Sequence, residues 1–278
     1  LIIISLQILD VSINIHCADS LIQNVLLSNF GALQALNPIP VKTAEISYAV
    51  EGVNDDQFNV LRSGEPLITN ADLYDLIYCL EKDITVEIQK IRNDLLFIHA
   101  AALEYNNKAC MIVAPSGSGK STTTWASLHH GFKYLSDELS PIDLSTMRVS
   151  AYPHALCLKA DPPTPYVLPE NVIRTTATIH VPVDYLPASV SDIPVPLAAI
   201  FFLKYNPDAD EPTLHEISAA EASARLYANA LNPLAHPEGG IDAGIAVARN
   251  CARFNVTSAD LTKTVKLIKS TMENLQTK

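Results

Sequence analysis

The chain opens with apolar positions that alternate with polar ones, as at Ile8, Val11, Ile13 and Ile15. A period of two belongs to strands that bury one face, so LIIISLQILDVSINI is expected to form strands. Asp10, the regular polar interruptions and the lack of a basic leader separate it from a signal peptide or a membrane span. The spacing turns helical in LIQNVLLSNFGAL and again in NADLYDLIYCLEKDITVEIQKI. There Leu73, Leu76, Ile77 and Leu80 share a face, and Asn70 is the expected N-cap.

Further on, LLFIHAAALEY and KACMIVA flank Asn106-Asn107 and predict two strands around a tight turn, because Asn tolerates the positive φ such turns demand. A helix over Ser121 to His130, stopped by Gly131 at C′, comes next. FKYLSDELSPID and RVSAYP predict strands around the turn LSTM, and LAAIFFLKY a buried strand. Ser218 and Glu221 form a capping-box pattern at the start of a helix running to Leu231. The tail pairs a strand in CARFNV with a helix from Ser258, its expected N-cap, to Leu275. Prolines crowd the span from Asp161 to Pro196, making it loop-rich and the expected place for substrate contacts. The whole is an α/β pattern, divided into a strand-rich N-terminal lobe at 1–92 and a second domain at 93–278.

A chain of 278 residues, 48% hydrophobic and 18% charged, can bury a sizeable core and belongs with globular proteins. Its formal charge of -11 argues against nucleic acid or an anionic membrane as partner, since both select basic surfaces. The five cysteines are scattered and show neither a zinc spacing nor a disulfide framework, so buried thiols in a reducing cytoplasm are expected. A first residue of Leu in place of Met is expected of a piece of a longer chain.

Candidate chemistry concentrates in Ala114-Pro115-Ser116-Gly117-Ser118-Gly119-Lys120-Ser121-Thr122, which follows an apolar strand-like run and opens a helix. That context and spacing predict a phosphate-binding P-loop for a nucleoside triphosphate. Glycines at 117 and 119 let backbone N–H groups turn inward as an anion cradle, to which the helix N-terminus adds its dipole. Lys120 would neutralise the β- and γ-phosphates, and the Ser121 hydroxyl would ligate phosphate-bound magnesium. The one departure from the usual pattern is Ala114 in place of its first glycine.

Transfer or hydrolysis also needs a carboxylate near the metal, and the apolar run FKYLS ends in Asp137-Glu138. Asp137 is the candidate general base for an acceptor hydroxyl and Glu138 the candidate metal-sphere or orienting group, with the two roles exchangeable. His99, in the apolar run before the P-loop, is a further catalytic candidate. Lys159, ending ALCLK, is a candidate phosphate or substrate contact, whereas Arg174 reads as a surface residue and a helix-end dipole interaction accounts for His129 and His130. No base-recognition motif distinguishes ATP from GTP. A transporter-type ATPase is excluded because Asp137 follows Lys120 too closely and no L-S-G-G-Q-like signature intervenes.

IHAAALEY with His99, APSGSGKST with Lys120 and Ser121, and GFKYLSDE with Asp137 and Glu138, in this order, resemble the HPr kinase/phosphorylase catalytic domain. They are closer to its smaller relatives in bacterial peptide-modification clusters, among them lasso-peptide kinases. The resemblance is strong over about Asp94 to Lys159 and looser over CARFNVTSADLTKTVKLI. It implies a phosphoenolpyruvate-carboxykinase-like P-loop domain on a mixed sheet, use of ATP and magnesium, phosphorylation of a peptide or protein serine, and self-association. It also implies a catalytic acid/base role for Asp137 and matches His99 and Glu138 to family positions. The downstream Glu-x-Arg-Gly signature of true HPr kinases is absent, which argues against HPr as acceptor. The alternative from a different class is a non-catalytic nucleotide-sensing scaffold.

Overall fold

The computed structural model describes residues 2–18, 20–54, 56–191 and 193–275. In chain order they form β1 (Ile2–Ile8), β2 (Val11–Cys17), α1 (Ser20–Phe30), β3 (Ile46–Asn54), β4 (Gln57–Arg62), β5 (Glu65–Ala71), α2 (Leu73–Ile91), β6 (Leu95–His99), β7 (Ala101–Tyr105) and β8 (Lys108–Val113). There follow α3 (Lys120–Leu128), β9 (Lys133–Ser136), β10 (Leu139–Asp143), β11 (Arg148–Val149), β12 (Leu156–Leu158), β13 (Ile173–Arg174) and β14 (Ile179–Val181). The last elements are β15 (Val195–Tyr205), β16 (Thr213–Glu216), α4 (Ala219–Ala228), α5 (Ile241–Asn250), β17 (Ala252–Ser258) and α6 (Leu261–Asn274). The described residues within 1–92, 153–161 and 167–185 make one compact unit, and those within 93–152, 162–166 and 186–278 make another.

In the first unit a five-stranded sheet runs β1-β2-β3-β4-β5, with β2 and β3 parallel and the other pairs antiparallel. The alternation read in the opening residues buries Ile4, Leu6, Ile8, Val11, Ile13 and Ile15. Helix α2 is capped by Asp72, whose side chain accepts the Asp75 N–H at 2.8 Å. Asn70, the expected cap, instead lies in β5 at φ +53, outside the extended geometry a cap requires. Arg62 bridges Asp83 and Glu87 of α2, and Tyr48 donates to Asp83 at 2.7 Å. A small sheet, β12-β14-β13, completes this unit. His180 of β14 lies 3.1 Å from Asn29 of α1 and 2.9 Å from the Thr178 hydroxyl, while His154 Nδ1 lies 2.8 Å from Glu81 of α2.

The second unit is built on a mixed nine-stranded sheet. At its centre β15 runs parallel to β8 on one side and to β17 on the other. Asn106 and Asn107, at φ +50 and +59, turn β7 into β8 as the sequence predicts. Two runs read as continuous strands are each broken. LLFIHAAALEY breaks at Ala100, so that β6 pairs with β10 while β7 pairs with β8 and β9. FKYLSDELSPID breaks at Asp137-Glu138, so that β9 follows β7 and β10 follows β6. The apolar pattern alone cannot show such a break, because both halves are buried on both faces.

Helix boundaries shift for local reasons. Gly131, at φ +91, lets Phe132 N–H close on Ser127 O at 3.3 Å, ending the α3 region as expected. Ser218 caps α4 through Glu221 N–H, but the Glu221 carboxylate pairs with Arg225 at 2.6 Å, and the helix stops at Ala228. Ser258 is the last residue of β17, and the cap of α6 is Asp260, which accepts from Lys263 N–H at 2.8 Å. The five cysteines are free thiols. Among the described residues no helix is long and apolar enough to cross a membrane.

Gly240 has φ +81, and a Cβ there would stand 2.8 Å from Pro233 O. Gly240→Ala is therefore expected to destabilise the second unit by about 2–4 kcal/mol, read from denaturant melting of the fluorescence of Trp125, the single tryptophan. In the first unit, burial holds the His180 imidazole below its ordinary value of 6.5. The unfolded chain then binds a proton that the folded chain refuses, so stability falls as pH drops through that value. His180→Asn should flatten the slope of stability against pH, and an unchanged slope would place the proton uptake elsewhere.

Candidate functional site

The loop between β8 and α3 takes the form its residue types predict. Gly117 and Gly119 lie at φ +81 and +86, where side chains are strained, although a Cβ at Gly117 would meet nothing within 4 Å. Backbone conformation, not space, therefore requires glycine at 117. Ser118 N–H closes a turn on Pro115 O at 3.1 Å, and Gly119 is the left-handed N-cap of α3. Pro115, Ser116 and Gly117 are exposed, Ser118 and Gly119 half-buried, and Ser121 and Thr122 sit half-buried in the first turn of the helix. Ala114 is buried at the strand exit, where a methyl group is accommodated. Inside α3 the buried hydroxyls of Thr124 and Ser127 donate to the carbonyls of Lys120 and Thr123 at 2.9 and 2.7 Å, so a helix poor in apolar residues can be buried.

Lys120 is only 8% exposed. Its ammonium donates to the main-chain carbonyl of Asp137 and lies 3.6 Å from Glu138 Oε2. The same Glu138 oxygen is 2.9 Å from His99 Nε2. Three residues from three elements thus converge, and the two strand breaks are the reason. The register that pairs His99 with Leu139 and Ala102 with Ser136 sets the turn at Asp137-Glu138 beside the interruption at Ala100. The Ser136 hydroxyl shapes the turn by accepting the N–H groups of Glu138 at 3.3 Å and Leu139 at 3.0 Å.

The two acids differ sharply in environment. Asp137 is fully buried, and its Oδ1 accepts the Tyr134 hydroxyl at 2.7 Å. Glu138 has a side chain 44% exposed and is the carboxylate that faces Lys120. His99 terminates β6 and does not belong to the hairpin strand β7, correcting its expected place. Its N–H donates to Asn229 O at 2.8 Å, and Leu231 N–H to Phe97 O at 2.8 Å, so the segment after α4 braces β6 from outside. Tyr134, Ser136 and Asn229 were not identified by sequence reasoning. A serine two residues before an acid at a strand end is a turn signal that could have marked Ser136. No local signal marks Tyr134 or Asn229.

Lys159 follows β12 in the first unit and Arg174 belongs to β13 there, whereas the loop, His99 and both acids belong to the second. Arg174 forms a two-pronged pair with Asp161 at 2.6 and 3.2 Å. His130 Nε2 lies 2.8 Å from the Tyr166 hydroxyl, and burial holds both His129 and His130 below their ordinary values. A loop with two glycines at left-handed φ, a helix N-terminus and a buried ammonium can together cradle a polyphosphate. Ser121 and Glu138 offer hard oxygen donors that fit magnesium arriving with phosphate oxygens and water. Among the described residues, no group of three or more His, Cys, Asp or Glu forms a separate metal cage.

No family model matches the chain, and no curated protein matches it. Among solved structures, the chain is similar to the Hpr(Ser) kinase/phosphatase from Coxiella burnetii. The identity is 13%, the match covers 64% of this chain and 94% of that one, and the TM-score is 0.32. A likeness at that TM-score carries no argument, so the chemistry rests on the residues themselves.

A phosphate bound at the loop would compete with Glu138 for the Lys120 ammonium. Glu138→Gln is therefore expected to tighten binding of inorganic tripolyphosphate by roughly three- to tenfold, the size of one partly exposed charge pair. Lys120→Ala is expected to lose that binding. Calorimetry on the two variants checks both, and unchanged affinity in Glu138→Gln would show that no such competition operates.

Proposed function

We propose that this protein is an ATP-dependent phosphotransferase that passes the γ-phosphate to a hydroxyl, that of a serine in a peptide or protein. The observation that carries the reading is the convergence of Lys120, at the end of the glycine loop, with Glu138 and His99. Nucleotide binding alone would need only the loop. An accessible carboxylate next to the phosphate lysine, held by an imidazole, is what an acceptor hydroxyl requires in order to lose its proton.

In this reading the loop amides of 116–119 and the first turn of α3 orient the phosphates, and Lys120 leaves Glu138 to neutralise charge on the transferred group. Magnesium would be held by Ser121 together with phosphate oxygens and water, leaving Glu138 free as the base, and would neutralise the phosphate oxygens further. Of the two exchangeable acids, Glu138 is assigned the acceptor proton because its carboxylate is accessible, with His99 Nε2 fixing its orientation. Asp137, buried on Tyr134, is assigned the positioning of the turn and of Lys120 through its carbonyl. The substrate is read as a peptide or protein and the nucleotide as ATP by the sequence resemblance.

The test is mass spectrometry after incubation with magnesium and ATP and a panel of serine peptides, a lasso precursor, HPr and free hydroxy compounds. Phosphate is expected on one class of acceptor, with the rate reduced about 100-fold or more in Lys120→Ala and in Glu138→Gln. Asp137→Ala separates the acids, because a base would be lost with it while a positioning residue would leave partial activity. Tight ATP binding without transfer to any acceptor would overturn the reading in favour of a nucleotide-sensing scaffold.

A further inference from the structure

The first unit holds a cavity of about 440 Å³ that the reading above does not use. Val25 of α1, Phe58 of β4 and Leu73, Tyr74 and Leu76 of α2 supply apolar walls. Arg174, Thr175 and Thr176 close another side, so the proline-rich span, expected to carry substrate contacts, does line a pocket. The volume is in the range of sites that enclose a small ligand or a large side chain. Leu21, which also lines the cavity, is 62% exposed, so the cavity's apolar lining is continuous with the surface.

Charge at the rim selects among apolar occupants. Among the described lining residues the one cation, Arg174, is already engaged in the two-pronged pair with Asp161. Asp56 and Asp72 line the same cavity and are exposed, and the Asp72 carboxylate accepts the Asp75 N–H at Oδ1. Tyr74 adds an aromatic face to the lining, stacked on Tyr78 with ring centroids 5.8 Å apart, and an aromatic face attracts cations. An apolar well bordered by two carboxylates and an aromatic face is complementary to a large apolar side chain next to a Lys or Arg.

We propose that this cavity is a docking site for a peptide segment in which a bulky apolar residue is followed by a basic one. The apolar side chain fills the well, and the cation rests between Asp56, Asp72 and Tyr74. The proposal does not depend on the phosphotransferase reading, because binding can be measured without nucleotide.

The test uses methyl-labelled full-length protein and three short acetylated peptides, containing Phe-Lys, Phe-Glu or Ala-Lys in an otherwise identical frame, followed by NMR. The Phe-Lys peptide is expected to shift the methyl signals of Val25, Leu73 and Leu76 and to bind roughly five- to tenfold more tightly than Phe-Glu. Ala-Lys should leave those methyls unmoved. The double variant Asp56→Asn, Asp72→Asn should lose the Lys-over-Glu preference while keeping the fold, since Asn also caps helices well. Equal binding of Phe-Lys and Phe-Glu, or no shift at these methyls up to the solubility limit, would overturn the proposal. So would movement of the same methyls with protein concentration alone, which would assign the cavity to a second copy of the chain.

Discussion

A buried ammonium must be paired, because the interior cannot supply the hydration it loses. At 8% exposure Lys120 meets that condition with the Asp137 carbonyl and the Glu138 carboxylate. The rest of the site depends on this pairing. It ties the start of α3 to the turn between β9 and β10, and through Glu138 to the end of β6. Neither partner is locked irreversibly. The carbonyl is neutral, and the carboxylate is 44% exposed, so an incoming phosphate can replace Glu138 without leaving it stranded in an apolar interior.

The sheet of the second unit makes the pairing reproducible. A single long strand, β15, borders β8 along Leu197 to Phe202 and β17 along Ala199 to Tyr205, so the strand before the glycine loop is held from one side by a parallel neighbour and from the other by its own hairpin. With both faces buried, a slip would exchange one buried set of side chains for another, so close packing of particular shapes fixes the pairing. The two interruptions, at Ala100 and at Asp137-Glu138, lie side by side in that register. They set His99 and Glu138 next to each other at adjoining interruptions of the sheet.

Much of this was legible in the sequence. The glycine spacing with Lys120 and Ser121, the Asn106-Asn107 hairpin, the alternating strands of β1 and β2 and the adjacent acids were all read from local patterns. Caps were legible less well. Asn70 and Ser258 are good cap residues by type, yet Asp72 and Asp260 hold the positions, because the cap goes to the residue whose backbone is extended at the point where the strand pairing ends. The broken strands were missed for a related reason. A run that is apolar throughout carries no mark of where it leaves one neighbour for another.

By itself, then, the sequence determined the parts: a glycine loop between strand and helix, its lysine, a pair of acids after a strand and a histidine before it. These follow from short-range spacing, which sets φ, ψ and hydrogen-bonding partners within a few residues. Tertiary structure alone decided which acid is buried and which faces the lysine, since that depends on Tyr134 in one strand and on the register of two others. It also decided that 153–161 and 167–185 fold with the first ninety residues and that Arg174 helps to line a cavity there. Long-range pairing is selected by burial of complementary faces across the whole chain, and no local pattern encodes the partner.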